Sequence, residues 1–327
     1  MNTPITLPEW AENQSSTQTP EGVELSAIFQ ALSLLGKMLT ETIRSGGVDL
    51  IGAYGSENAS GDSVQKLDVL ANTMCKEFAS THGRFAAIAS EEEEEIVYLE
   101  ESITAPYLLA FDPLDGSKNI DFNGPIGTIF TIYKRSDTAD QSTIMADFLS
   151  ATTIAASGFV LYGPRTLFIF SIGDGVHTFQ LDPETQEWIL LQDTLSLPDP
   201  ITTYAHNDSY VANWDSASQQ YLTAMKERHP DTTARHIGAL LADIYRILVQ
   251  GGIFIRAFDN ASKRSAKLRL VYELRAMAFI IEQAGGAATD GLNRILTIDA
   301  TDIHHRHPLI AGNIAEVQEY ERVFRAS

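Results

Sequence analysis

The stretch Phe111-Asp112-Pro113-Leu114-Asp115-Gly116-Ser117-Lys118-Asn119-Ile120-Asp121 follows directly on the apolar run Tyr107-Leu108-Leu109-Ala110. The run reads as a buried strand whose end carries two acids, Asp112 and Asp115, and then a Gly-Ser. Two carboxylates that close repel each other, so the pattern asks for something positive between them. Asp-Pro and Asp-Gly are each ordinary turn chemistry. Both together, in register after an apolar strand, read as a strand end that presents its carboxylates to one cation. Gly116 and Ser117 then let backbone N–H groups approach a phosphate.

Bulk charge sharpens the question. The 327 residues carry a formal net charge of −20, which argues against a nucleic-acid or anionic-membrane partner. An anionic substrate would need a local source of positive charge. Cys75 is the only cysteine, which excludes an intramolecular disulfide and a Cys-rich zinc site. No uninterrupted apolar run reaches the roughly eighteen residues of a membrane span. The first 25 residues lack the basic start and apolar core of a secretory signal. A soluble cytoplasmic protein is expected.

Outward from the acidic stretch, residues 24–44 carry apolar side chains at helical spacing, and 64–80 resume that pattern after a Gly- and Ser-rich segment. Between 126 and 191 the runs IGTIFTIYK, GFVLYG, TLFIFSI, GVHTFQLD and EWILL are short, β-rich and separated by turns, which predicts an antiparallel meander. Residues 195–200, with two prolines, read as a linker. Helical stretches follow near 213–228, 239–250 and 267–286. The order predicts an α+β chain with stacked helix and sheet layers.

Other acids join the two at the strand end. Glu91 and Glu92 come first after the apolar run FAAIAS, where a carboxylate can point inward, whereas Glu93 to Glu95 read as a solvated loop. Asp62 and Asp68 flank a helix start, where capping is the simpler role. Glu273 borders the apolar face of its helix and must be paired or metal-bound if buried; Arg269, one turn earlier, is the alternative partner. Such a set suits a hard cation: Mg2+ takes a few carboxylates together with phosphate oxygens and water. Two such ions about 4 Å apart can hold a phosphate between them and activate water. The acids would bind metal and the metal the anion. Lys267, Arg269, Arg235, His236 and Arg256 are candidates for a second phosphate, while the histidines of His304-His305-Arg306-His307-Pro308 read as an exposed loop.

At this point FDPLDGS is similar to the signature of the lithium-sensitive, magnesium-dependent sugar and inositol phosphatases. The segments GDSVQKLDVLAN, ASEEE, IGTIFTIYK, IGALLADIYRILVQGGIF and KLRLVYE…EQAGG, in that order, resemble class I fructose-1,6-bisphosphatase from about residue 22 to the C-terminus. The resemblance implies a layered αβαβα sandwich. It also implies a flexible N-terminal arm (1–21), an N-terminal α/β domain of the allosteric type carrying most metal ligands (22–196), and a C-terminal substrate-binding domain (197–327).

The same resemblance implies Mg-dependent hydrolysis of the 1-phosphate of fructose 1,6-bisphosphate, with two or three Mg2+ ions per subunit and Mn2+ able to substitute. Glu91, Asp112, Asp115, Glu273 and the carbonyl of Leu114 match the metal ligands. Asp68 and Glu92 match the pair that orients and deprotonates the attacking water, and Asp62 matches a mobile-loop acid. Gly116 and Ser117 match the surroundings of the 1-phosphate. Asn207, Tyr210 and Lys267 match residues around the 6-phosphate and sugar. Arg235 matches an arginine that reaches a neighbouring subunit's site, so a homotetramer is implied.

Departures mark where specificity can shift. Lys118 stands for a second serine, and His236 and Arg256 stand for tyrosines near the 6-phosphate. Gly163-Pro164-Arg165-Thr166 looks more like sedoheptulose-1,7-bisphosphatases. Seven-carbon or dual specificity therefore stays open, as does a non-catalytic sugar-phosphate sensor. Glu24, Ser26 and Tyr107 resemble part of an AMP site, but Pro106 and Lys134 replace its lysine and arginine, so AMP inhibition is expected to be weak or absent.

Overall fold

Residues 4–14, 18–46, 52–57, 63–258 and 267–327 are described in a computed structural model of the chain. Helix α1 (Leu7–Asn13) corrects the expectation of a loose arm over the first 21 residues. Thr6 and Glu9 cap its start reciprocally, with the Thr6 N–H donating to the Glu9 carboxylate at 2.9 Å. Leu7, Trp10 and Ala11 are buried, and Trp10 packs edge-on against Phe170 and Phe179 while its indole N–H donates to Asp193 at 2.6 Å. Three apolar residues in a polar segment are too few to show a period.

Helix α2 (Pro20–Ser45) follows. By length and composition alone it would pass as a membrane span, contrary to the expectation drawn from uninterrupted runs. In the fold its apolar stripe of Leu25, Ile28, Leu32, Leu35 and Leu39 is buried in a core shared with a sheet. Strands β1 (Ala53–Glu57) and β2 (Ser63–Gln65) form a small antiparallel pair before helix α3 (Lys66–His82).

The central region then alternates strands β3 (Phe85–Ser90), β4 (Val97–Tyr98), β5 (Tyr107–Asp115), β6 (Ile126–Lys134), β7 (Ile154–Tyr162), β8 (Thr166–Ser171), β9 (His177–Leu181) and β10 (Trp188–Gln192), with helix α4 (Thr143–Leu149) before β7. Among the described residues these make an eight-stranded sheet of order β10-β9-β8-β7-β6-β5-β3-β4. The predicted meander is its β6–β10 portion, antiparallel throughout. β3 and β5 run parallel, and both are buried along their lengths, which is why they read as continuous apolar runs rather than alternating ones.

The second half contains β11 (Thr203–Ala205), α5 (Asp208–Val211), α6 (Ser216–Arg228), β12 (Thr233–Ala234), α7 (Leu240–Gln250), β13 (Gly252–Arg256), α8 (Arg275–Gln283), β14 (Ala287–Thr289), β15 (Leu309–Gly312) and α9 (Ile314–Arg325). Its five strands pair in the order β12-β11-β13-β15-β14. The helix predicted over 267–286 is shorter and begins with a π-helical turn, Leu270–Leu274, which leads directly into α8. Both pieces are buried nearly all round, so no single apolar stripe describes them.

Three apolar clusters stack these elements into layers. Phe29 and Leu32 of α2, with α1 and α3, cover one face of the large sheet at Phe130, Phe168 and Phe170. The opposite face, at Ile129, Phe159 and Ile169, packs on Leu241 and Ile244 of α7 and Met277 and Ile281 of α8, which also cover Phe254 and Leu309 of the second sheet. Tyr221 of α6 and Tyr320 of α9 close the far face of that sheet over Ile253 and Ile310. The result is the expected αβαβα sandwich.

Candidate active site

The site grows from two parallel strand ends. β3 and β5 pair up to Ser90 and Phe111, and the N–H of Glu91 donates to the Phe111 carbonyl at 3.2 Å, so the acids that follow each strand emerge side by side. The β5–β6 register shifts between Asp112 and Asp115, where Pro113 has no N–H to give to the ladder. This irregularity re-aims the chain, and the Leu114 N–H closes back on Asp112 at 2.9 Å. Gly116 follows at φ 79°, and a Cβ there would lie 2.5 Å from the Cβ of Ala239. Both the backbone conformation and the close approach require glycine.

Around these ends, Glu91, Asp112 and Glu273 place ligand oxygens within 4.8 Å of one another, and Asp112 and Glu273 are each 3% exposed. Glu273 comes from the π-helical turn, where its carboxylate accepts from the Arg269 N–H at 2.6 Å. Asp115 accepts from the N–H of Leu241 at 2.8 Å. Asp68 accepts from the Gln65 N–H at 2.8 Å, so it caps α3 as expected and also faces the site. The Arg269 guanidinium lies 2.5 Å from Glu91 and 3.9 Å from Glu273, which makes it an internal counter-ion of the cluster.

Burial and mutual repulsion dominate the electrostatics. Burial first, and then the charges of Glu91, Asp115 and Glu273, push the Asp112 carboxyl well above its ordinary range. Glu273 is raised likewise by burial and Glu91, against the pull of Arg269. Burial raises Asp115 to about 7 despite the hydrogen bond from Leu241, and raises Asp68 to about 7 despite that from Gln65. Asp112, Asp115, Glu273 and Asp68 are all raised, so the one guanidinium of Arg269 does not offset the burial and crowding of these acids. A divalent cation would supply the missing positive charge, and Glu91, Asp112, Asp115 and Glu273 would offer it the hard oxygen donors such an ion prefers. The residues present fit a metal centre.

From this cluster a cleft of about 360 Å3 runs to β13 and the start of the π-helical turn. Asp68, Glu91, Glu92, Asp112, Leu114 and Asp115 line one end, with Gly116, Ser117 and Lys118 beside them. Asn207, Tyr210, His236, Arg256 and Lys267 line it as well. The Arg256 guanidinium stacks 4.1 Å over the Tyr210 ring, and the Nδ1 of His236 lies 3.0 Å from Asp243. Arg235 is exposed and is not among the lining residues. Asp62 lies outside the described residues. Gly163, Pro164 and Thr166 line a different cavity, next to Arg44.

Several supporting residues escaped the sequence reading. Asp243 is fully buried and accepts from Ile237 N–H, Gly238 N–H and Arg246 as well as facing His236. An acid on the apolar face of an amphipathic helix, between Leu240 and Ile244, was the available signal. Glu93 corrects the expectation of a solvated run: it accepts from Asn72 and Lys76, both at 2.7 Å, and Asn72 also holds the Ser90 hydroxyl at 2.8 Å. The 304–307 loop is likewise not simply exposed. The Leu270 N–H, which the start of the π-helical turn leaves unpaired, donates to the His305 carbonyl at 2.7 Å, and the His307 N–H donates to the Leu268 carbonyl at 2.9 Å.

Comparison with known proteins agrees with this architecture. A family model described as "Fructose-1-6-bisphosphatase, N-terminal domain" matches residues 5–193, and its C-terminal counterpart matches 197–325. Curated class 1 fructose-1,6-bisphosphatases are similar: that of Chlorobium luteolum is 39% identical over 92% of this chain and 93% of its own length. That of Microcystis aeruginosa is 37% identical over 98% and 96%. Crystal structures of Leishmania major fructose-1,6-bisphosphatase superpose with TM-scores of 0.90 for the holo form and 0.84 for the apo form, at 32% and 30% identity. The holo form covers all of both chains, and the apo form 99% of this one and 100% of its own. Matched along nearly its whole length in sequence and in structure, the chain belongs to the fructose-1,6-bisphosphatase family.

Proposed function

We propose that this chain is a phosphoric monoester hydrolase that removes the 1-phosphate of fructose 1,6-bisphosphate with Mg2+ as cofactor, giving fructose 6-phosphate and phosphate. One observation carries the reading: a single cleft joins a buried carboxylate cluster to a group of cationic side chains, as a substrate with two phosphates requires. Glu91, Asp112, Asp115, Glu273 and the Leu114 carbonyl would hold the metal. Bound there, the cation neutralises the phosphoryl oxygens and lowers the pKa of water. Asp68 and Glu92 would orient the attacking water and accept its proton as its oxygen bonds to phosphorus, the bond from phosphorus to the sugar oxygen breaks, and that oxygen takes up a proton to leave as the hydroxyl. Gly116 and Ser117 offer N–H donors to the phosphoryl group. Asn207, Tyr210, His236, Arg256 and Lys267 hold the 6-phosphate and the sugar, with Arg256 able to bind phosphate through two N–H groups.

The chain would work as a homotetramer, with the exposed Arg235 completing a neighbour's site. The cytoplasm is the proposed location, since a lone buried cysteine, Cys75, suits a reducing compartment.

The experiment is phosphate release from fructose 1,6-bisphosphate and sedoheptulose 1,7-bisphosphate, side by side, with Mg2+ or with a chelator. Metal-dependent release favouring the six-carbon sugar is expected. A preference for the seven-carbon sugar would move the assignment to the second reading, which the positions of His236 and Arg256 in the cleft favour. Binding without release would leave only a sensor.

A further inference from the structure

The carboxylates of the proposed metal centre arrive on separate pieces of chain. Glu91 and Glu92 sit on the turn after β3, in the large sheet. Glu273 sits on the π-helical turn Leu270–Leu274, between the two sheets. Their spacing therefore depends on whatever fixes the β3 turn relative to the π-helical turn. A metal centre tolerates little slack, because its ligands must be presented together.

Tyr272 and His304 make such a connection. Tyr272 precedes Glu273 and is fully buried. Its hydroxyl lies 2.9 Å from the Nδ1 of His304, and the Nε2 of His304 lies 3.3 Å from the carbonyl oxygen of Glu94, on the turn that carries Glu91 and Glu92. A carbonyl oxygen only accepts, so Nε2 carries the hydrogen. In the neutral ring Nδ1 is then an acceptor, and the Tyr272 O–H donates to it. Both hydrogen bonds select the same tautomer. The backbone that carries the ring is held as well, since the main-chain N–H of His304 donates to the Asp302 carboxylate at 2.8 Å and the Leu270 N–H donates to the His305 carbonyl.

We propose that Tyr272 and His304 are positioning residues that set the separation of the two halves of the metal centre. The tie rests on the metal-dependent reading of the site. It predicts that cutting either arm loosens the Glu91–Glu273 separation while the carboxylates themselves remain. Outer-sphere partners of metal ligands typically contribute about 10- to 100-fold in metal affinity.

The test is direct Mn2+ binding, measured by electron paramagnetic resonance on the full chain without substrate, for the unaltered protein, Tyr272→Phe, His304→Asn, His304→Gln and Glu273→Gln. His304→Asn keeps an acceptor for Tyr272 and loses the reach to Glu94, and His304→Gln does the reverse. Weakening of about tenfold or more is expected in all three tie variants. The double variant Tyr272→Phe with His304→Gln should be no worse than the weaker single one, since one broken arm already releases the tie. Tyr272→Phe removes a single oxygen atom, so a normal melting temperature with weakened binding separates positioning from folding. Mn2+ affinity within twofold of the unaltered chain in a folded Tyr272→Phe variant overturns the tie alone, provided Glu273→Gln is impaired. No Mn2+ binding by the unaltered chain overturns the metal reading and the tie with it.

Discussion

Asp115 caps the start of α7 from 126 residues away, its carboxylate accepting the N–H of Leu241 at 2.8 Å. The helix's own N-cap residue, Ala239, has no side chain that could do so. One acid thus lines the cleft, where the proposed metal centre would use it, and anchors the helix that carries Asp243, the partner of His236. A carboxylate at a helix N-terminus is also favoured by the helix dipole.

These two duties can be separated. Asp115→Asn keeps an oxygen for the Leu241 N–H and loses the charge, so turnover should fall by at least about a hundredfold without a lower melting temperature. Asp115→Ala loses both, and should cost about 1 kcal/mol of stability in addition. Phosphate-release assays and thermal melts on the pair test this. Near-normal turnover in Asp115→Asn would remove Asp115 from the metal centre.

Metal removal should make stability fall as pH rises. Asp68 and Asp115 are raised from 3.8 to about 7, so each folded carboxyl holds its proton more tightly than the unfolded one does. The stability they contribute is complete below 3.8 and is lost as pH rises through about 7. In a chelator the melting temperature should therefore drop between about pH 4 and about pH 7, and Mg2+ should raise it more at the upper end. A flat profile, or equal Mg2+ effects at both ends, would show that these acids do not share the metal's field.

What the sequence showed and hid follows from the range of each contact. Asp112, Asp115 and Glu91 were legible because each ends a run of buried strand, and Glu273 because it borders a helical apolar face. Lines of contact between remote segments carry no local period. The Leu241 N–H on Asp115 and the loop of His304 against Tyr272 are both of this kind. Helix α1 was hidden for a different reason, since it buries only three side chains, Leu7, Trp10 and Ala11, too few to show a period. Family resemblance assigned roles to residues, but the geometry that links them comes from the folded chain.

AMP should inhibit weakly or not at all. The cations near the resembling region are already engaged by the chain's own acids. Lys134 is 2.9 Å from Glu21, and Arg84 pairs with Glu24. A nucleotide phosphate would have to displace these carboxylates and would meet Pro106 where the resemblance places a lysine. Turnover should be unchanged by millimolar AMP. An inhibition constant in the micromolar range would refute this.

Arg256→Ala should separate binding from chemistry. The Arg256 guanidinium stacks on Tyr210 and lines the cleft that Asp68 and Asp115 also line. If it holds the phosphate that stays on the sugar, its interaction is the same before and during bond breaking. Its loss then raises KM and leaves kcat nearly unchanged. A charge-assisted pair lost from a partly buried site costs about 1.5–3 kcal/mol, or roughly 10- to 100-fold in KM. The same variant assayed on the seven-carbon bisphosphate should lose a similar factor if both sugars place their distal phosphate here. Equal losses in kcat and kcat/KM would instead put Arg256 on the reacting phosphate, and the substrate would have to lie in the cleft the other way round.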